Sequence, residues 1–517
     1  MAATSESSDI GNPSASHDTE KNMIVAVPSN AEGVADVMHR LPDAVDANLF
    51  AVERAIDAIG FGKVQWQLAL SCGFGFLADQ MLLVSVSLVG PQTIPEFAPT
   101  YPTLLPVALY AGLLAGAVVL GVSADNFGRR TIWQISIFGI SIVAMISASA
   151  PNWAALNCFV TLCGFFGGGN LAIDLTILAE SIPSNWTWVL CGLASIWGLG
   201  NTVAGLIAWA LLVPYGCPPE ATPETCPRSA NMGWRYLYIT LGGLCLIMAL
   251  VRAFIMRTFE SPKWLVSCGR YQEAVDVLNQ MSAVNKLDYR ISIEEFDQSV
   301  RTETSEKSVR ENIRRLAGLF SGGKQLRLMS CLTTMWMLIG IAYPLYTIFL
   351  PYYLRANGAN FGDTSNYTTY RDWSVSSVVG IFGPILSMWM VSHKWFLSRR
   401  SLIITGAACA AFSGAFTTVR NAGQNLGFSC MINFWLNALY AVIYAYTPQS
   451  LSVENRGLGN GLLMATGRAA SLTAPFIATF ADVTTSAPIW VSCACYIVIG
   501  LVGLVLPVDT VPFRRSA

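Results

Sequence analysis

Three ionisable side chains stand inside long apolar runs, where charge is expensive. Asp79 lies in FGFLADQMLL (74–83), Asp174 in GNLAIDLTI (169–177) and Arg468 in TGRAASLTAP (466–475). At the centre of a bilayer such a residue costs about 2.5–3.5 kcal/mol on insertion scales, so each is expected to face protein or a water-filled cavity. Asp79 has no base near it in the chain, and buried carboxylates of this kind serve as proton carriers or ligands. Asp79 and Asp174 are therefore read as candidate proton-coupling residues. Asn170 precedes Asp174 by one helical turn and shares its face. Arg468 has two open readings: it neutralises an acidic substrate, or it pairs with one of the carboxylates. Arg252, near a segment end, can snorkel to the surface and needs no special role.

These residues need helices that cross a membrane to position them. Of 517 residues, 53% are hydrophobic and only 12% charged, about half the charged fraction of a soluble domain. Apolar stretches of roughly 20 residues recur, enough to cross a hydrocarbon core of about 30 Å. The spacing predicts spans near 65–89, 101–122, 131–149, 154–178, 188–213, 234–256, 326–351, 372–392, 401–420, 426–447, 458–481 and 487–506. The fold class is thus an all-α membrane protein of twelve helices in two six-helix bundles, 65–256 and 326–506. Residues 1–64 form an N-terminal tail, 257–325 a polar linker with short helices, and 507–517 a short tail. The first sixty or so residues lack the apolar core of a signal peptide. Within them, 46–60 has helical periodicity and is expected to pack under the membrane domain.

Composition excludes several function classes. The net charge of −1 and the lack of a basic tract argue against nucleic acid, and three scattered histidines argue against a metal site. No cofactor is expected. GLGNTVAG (198–205) half-resembles a nucleotide loop but lies within a span, with no strand before it. An enzyme is therefore not expected.

Loop charges orient the array. Arg129 and Arg130, the linker, Lys394 with Arg399 and Arg400, Arg456, and Arg514 with Arg515 fall on one side, which the positive-inside rule makes cytosolic together with both termini. The opposite side then holds Cys217 and Cys226, flanking the Pro-rich stretch CPPEATPETC and expected to form a disulfide. It also holds the sequon Asn366-Tyr367-Thr368, an expected glycosylation site that favours the plasma membrane.

Between spans 2 and 3 stands GVSADNFGRRT (121–131). Gly121 is expected to allow close helix approach, Asp125 to accept at a turn, Gly128 to permit that turn, and Arg129 and Arg130 to hold charge at the surface. This spacing resembles the major facilitator signature, with Ser123 and Asn126 in place of its usual Leu and Arg. FGKVQW (61–66), ADQM (78–81), GGGNLAIDLTILAESIP (167–183), NMGWRYLYITLG (231–242), ESPKWLVSCGRYQEAVDVL (260–278), WMLIGIAYPLYTIFLPYYL (336–354), YAYTPQSLSVENRGLGNG (444–461) and GRAASLTAPFIA (467–478) resemble the synaptic-vesicle-two-related branch of that superfamily. The segment at 260–278 also resembles sugar porters. The likeness covers roughly residues 55–506 and is greatest to fungal members of the branch.

The resemblance implies transport of a small solute, with a cytosolic gate of Gly121, Asp125, Gly128, Arg129, Arg130, Glu180 and Arg456, in which Glu180 pairs with Arg129 or Arg130. Departures matter as well. The Gln-Gln and Asn of sugar porters are missing from TTMWMLIGIAYPLYT (333–347), so a hexose is not implied. SIWGLGNTVAG (195–205) lacks the Gly-Pro of drug antiporters, and VSHKWFLSRR (391–400) has lost an acidic residue of the cytosolic latch.

Two six-span halves joined by a linker suit rocking about a central site. Candidate substrate-binding residues along that path are Asn170, Trp197, Asn201, Tyr343, Tyr346, Asn433, Asn437, Tyr440 and Arg468. GFFGGG (164–169) reads as close helix packing. The expectation is a secondary-active transporter of a small organic solute, proton-coupled, working in the bilayer as a monomer. Efflux of a secondary metabolite competes with import, and a non-transporting sensor or trafficking protein is the rival of another class.

Overall fold

The computed structural model describes residues 47–183, 186, 189–218, 221–256, 258–297, 317–347, 365–393, 395–419, 421–451, 456–480 and 485–507. Residues 1–46, 298–316 and 508–517, which hold most of the predicted tails and part of the linker, lie outside them.

Helix α1 covers 47–59, and α2 (Lys63–Phe97), α3 (Leu104–Phe127), α4 (Arg129–Ser147) and α5 (Trp153–Ser181) follow. The fifth crossing is α6 (Val189–Leu193) with α7 (Ser195–Tyr215), and the sixth is α8 (Gly233–Leu250) running into a π-helical turn at Val251–Ile255. Short helices α9 (Pro262–Ser267) and α10 (Tyr271–Val284) come next. The second bundle comprises α11 (Gly323–Thr347), α12 (Asn366–Gly380) with α13 (Phe382–Ser392), α14 (Leu397–Phe416), α15 (Ala422–Ser450), α16 (Arg456–Ser471) with α17 (Thr473–Phe480), and α18 (Ala487–Val505).

Ten stretches among the described residues are long and apolar enough to span a bilayer by length and composition alone. The other two crossings are α14, whose first turn carries Arg399 and Arg400, and α16–α17, interrupted at Leu472. Large apolar side chains such as Val118, Ile142 and Leu501 point outward, as lipid-facing positions should. The first span is longer than predicted: α2 continues through Pro91 and Pro95 to Phe97. Its last turn is held by Glu96, which accepts from Arg235 Nη2 (2.6 Å), Trp234 Nε1 (3.0 Å) and Asn231 Nδ2 (3.0 Å).

Small residues set how closely helices approach. A Cβ on Gly112 or Gly116 of α3 would run into the backbone of Thr161 or Phe165, and one on Gly164 or Gly168 of α5 into that of Leu109 or Leu113. The glycine run at 164–169 therefore does pack helix on helix. Gly121 does not: no described residue lies within 4 Å of where its side chain would begin. In the second bundle, Gly340 of α11 meets Gly467 of α16 backbone to backbone. Pro344 has no N–H for the carbonyl four residues earlier, that of Gly340. Ser471 Oγ lies 2.9 Å from this freed carbonyl and equally close to Gly467 O of its own helix, so its one proton is shared between them beside Arg468.

The halves meet through α7 against α12 and α3 against α16. Gln92 Nε2 donates to Tyr370 Oη (3.0 Å), and Tyr370 Oη to Leu88 O (3.1 Å). At that same end, the disulfide face, Cys217 and Cys226 are bonded as expected, and Cys217 O accepts from Asn366 Nδ2 (3.0 Å).

At the opposite end, the linker face, lies a second apolar core. Val52, Ala55 and Ile56 of α1 interleave with Trp264, Leu265, Ala274, Leu278 and Phe296. Asn48 clamps the backbone of Asp297, donating to its carbonyl (3.0 Å) and accepting from its N–H (2.8 Å). Asn285 ties this unit to α2, accepting from Val64 N (3.0 Å) and donating to Gln65 Oε1 (2.9 Å). Residues 47–59 of the periodic segment thus dock on the linker helices.

Candidate functional site: a charged cavity between the bundles

Both halves line a narrow central cavity of about 40 Å³. The first bundle supplies Asp79 and Gln80 from α2, Tyr110 and Leu113 from α3, Gly164 and Gly167 from α5 and Trp197 from α7. The second supplies Tyr343 and Pro344 from α11, Asn437, Tyr440 and Tyr444 from α15, and Arg468 and Ser471 from α16. Of the residues expected along the path, Asp79, Trp197, Tyr343, Asn437, Tyr440 and Arg468 do line it.

The aromatic side chains form one continuous wall. Tyr440 stacks on Tyr444 with ring centroids 5.3 Å apart, Trp197 meets Tyr444 edge-on at 4.5 Å, and Tyr343 meets Tyr440 at 5.0 Å. A polar bridge crosses between the halves here: Gln80 Nε2 donates to Asn201 Oδ1 (2.8 Å) and Tyr343 Oη (2.6 Å).

Three polar groups on this surface have capacity left over. Asp79 Oδ2 accepts from Asn170 Nδ2 at 3.2 Å, while its Oδ1 has no hydrogen-bond partner. The hydroxyl of Tyr110 is likewise buried without one. Arg468 makes no hydrogen bond or ion pair with a described residue; its electrostatic neighbours are Tyr444, Tyr440, Tyr110 and Asp79. The pairing of Arg468 with a carboxylate across the halves, one of its two expected roles, is not formed.

Asp174 lies elsewhere. It is fully buried behind the cavity wall and forms an ion pair with Arg252, whose Nη2 is 3.3 Å from Oδ1. Trp133 Nε1 donates to the same oxygen and Asn170 Nδ2 to the other (2.8 Å). Arg252 also donates to Ser71 O (2.5 Å) and lies over the Trp133 ring, 4.1 Å from its centroid. Gly75 leaves the room for Asp174, since a Cβ there would strike its carboxylate. The snorkelling expected of Arg252 is corrected: it turns inward with no exposed surface, because a buried carboxylate one helix away compensates it better than the interface would. Asn170 belongs to this network, not to the cavity lining. Its amide spans Asp79 and Asp174, and its carbonyl accepts from Arg252 Nη1 (3.3 Å) and Ser136 Oγ (3.2 Å).

Other expected ligands are not at the cavity surface. Tyr346 is buried and donates to Ser429 O (3.4 Å), between α11 and α15. Asn433 donates to Ser376 Oγ (3.1 Å), binding α15 to α12. Asn201 acts one step back, through Gln80. Gln80, Tyr110, Tyr444 and Ser471 were not singled out in the sequence. The signal for Gln80 was present, a second polar residue beside Asp79; nothing local marked the others.

At the linker face, Gly128 takes a φ of +97° and forms the expected turn between α3 and α4. Arg129, not Arg130, forms the ion pair with Glu180. Glu260 accepts from the backbone N–H groups of Arg129 (3.1 Å) and Arg130 (3.2 Å), an anion at a helix N-terminus. Ser261 Oγ donates to Glu180 at 2.6 Å, so the linker is bound into this corner. Asp125 and Arg456 sit in α3 and α16, and their side chains lie outside the described residues.

A profile described as Major Facilitator Superfamily matches residues 68–435. The chain belongs to the major facilitator superfamily. It is 34% identical over 481 residues to MFS siderochrome iron transporter 1 of Ceriporiopsis subvermispora, covering 91% of this chain and 92% of that one. It is 33% identical to the major facilitator-type transporter hxnZ of Emericella nidulans (89% and 86% covered) and 25% identical to the niacin transporter NiaP of Acinetobacter baylyi (82% and 89%). Among solved structures, the proton:xylose symporter XylE bound to 6-bromo-6-deoxy-D-glucose superposes with a TM-score of 0.66 at 14% identity, covering 86% of this chain and 96% of that one. That likeness establishes the fold; the profile and the fungal relatives make the chain a multi-pass membrane transporter of this superfamily.

Proposed function

We propose that this protein moves one small organic solute across its membrane by alternating access, coupled to protons through Asp79. The observation that carries this reading is a free carboxylate oxygen on one bundle and an unpaired guanidinium on the other, both bordering one cavity. A rocking motion that exposes such a cavity to each side in turn would let Asp79 load and release a proton with its cargo. Asp174, already neutralised by Arg252, serves in this proposal as the anchor for Asn170, which aims Asp79. Gln80, Tyr343, Asn437 and Tyr440 orient the solute, and the Arg129–Glu180–Glu260 corner belongs to the gate. The linker face is cytosolic and Asn366 on the opposite face carries a glycan, which together favour the plasma membrane.

The test is uptake into proteoliposomes with and without an inward proton gradient. Asp79→Asn should abolish gradient-driven accumulation while leaving solute exchange across the membrane intact. Accumulation undiminished in that variant would remove proton coupling through this residue.

A further inference from the structure

The charges at the cavity do not balance through contacts, and that imbalance specifies a cargo. Among the described residues, the titratable or charged groups around Asp79 are Asp174 from α5, Cys245 from α8, Arg252 from the turn after α8, Arg468 from α16 and Tyr444 from α15. Asp174 and Arg252 neutralise each other. What remains is one carboxylate, Asp79, and one guanidinium, Arg468, on opposite bundles and not in contact.

An unpaired guanidinium at a water-poor surface is a receptor for a carboxylate, which it binds through two parallel N–H donors. If a carboxylate arrives while Asp79 is still ionised, two like charges share one low-dielectric cavity, an arrangement that strongly favours protonating one of them. A proton on Asp79 removes the conflict and leaves the site with the net charge it had when empty. The walls add shape. The Tyr440 and Tyr444 rings stack on each other, Trp197 meets both edge-on, and Leu82, Leu113, Ile140 and Leu171 line much of the rest, so the walls favour an apolar body on the carboxylate.

Resting on the transporter reading above, we infer that the cargo is a small apolar monocarboxylate whose carboxylate binds Arg468, carried one for one with the proton on Asp79, so that no net charge moves.

The full-length protein in detergent is tested for binding of radiolabelled 4-hydroxybenzoate. Competitors are aromatic and alicyclic monocarboxylates and, for each, the corresponding amide. Acids are expected to compete at least about tenfold better than their amides, the range of a charge-assisted pair. Arg468→Gln should erase that preference and Arg468→Lys keep part of it, with melting temperatures near that of the parent protein. Binding should weaken as pH rises in the parent and stay level in Asp79→Asn. In proteoliposomes, uptake should be indifferent to a potassium–valinomycin potential of either sign.

Amides competing as well as acids, acid binding unchanged in Arg468→Gln, no acid in the panel binding at all, or uptake driven by the potential would each overturn the inference. Exchange of a sugar or a cationic solute with no acid binding would overturn it while leaving the transporter reading in place. Acid binding without movement of any solute would instead count against transport and leave the carboxylate receptor standing.

Discussion

Asp79 and Asp174 accept from the same amide nitrogen, that of Asn170, yet they occupy different surroundings. Asp174 has a guanidinium, an indole N–H and the amide all directed at it. Asp79 has the amide alone and keeps one oxygen free at the cavity. A sealed carboxylate with a packed cation is a fixed part of the scaffold. A carboxylate at a cavity, with its compensating charge on the other bundle, is free to respond to what enters. On the function proposed above, identical chemistry in helices of similar hydropathy is divided into structure and mechanism by neighbours from distant parts of the chain.

The largest effect should come from breaking the sealed side. Arg252→Leu leaves Asp174 buried without its cation, an uncompensated charge that costs about 3–5 kcal/mol. Thermal denaturation in detergent should show a large loss, or no folded protein at all. The pair Arg252→Met with Asp174→Leu should recover most of it. If the single variant melts like the parent, Asp174 is not sealed and the contrast fails.

Asn170→Ala comes next, since it removes the donor common to both acids. The buried groups it orphans predict a loss of about 1–3 kcal/mol, again read from melting, together with slower proton-driven uptake. Asp79→Asn should then change stability by less than about 1 kcal/mol, because it removes no partnered charge, although gradient-driven uptake disappears. A large destabilisation there would place Asp79 with Asp174 in the scaffold.

Lys263→Ala is the smallest. Its bond to Glu53 ties α1 to the linker unit at a partly exposed site, where such pairs contribute about 0–1 kcal/mol. Measured in the same series, it sets the scale against which the membrane-embedded variants are judged.

Much of the fold was legible beforehand, this contrast was not, and the limits of that reading have identifiable causes. The crossings followed from apolar length, and α2 overran its expected end only because Arg235, Asn231 and Trp234 capture Glu96. The disulfide followed from two cysteines flanking one short loop. Tyr343 and Tyr346 had equal claims by residue type, but the second is enclosed between α11 and α15. Arg252 sat near a segment end, where snorkelling is the ordinary outcome, and its carboxylate partner is 78 residues away. The charge environment of a side chain depends on helices that the chain reaches much later.

By itself, the amino-acid sequence determined that this chain folds as membrane-crossing helices in two halves, because hydrocarbon admits only segments that satisfy their own backbone hydrogen bonds and that requirement is written in local apolar length. It also marked which residues were too costly to be there without a purpose. Tertiary structure alone decided which of those charges cancel and which are left facing the cavity. Cancellation depends on distances of about 3 Å between helices, and no local pattern of residues encodes such distances.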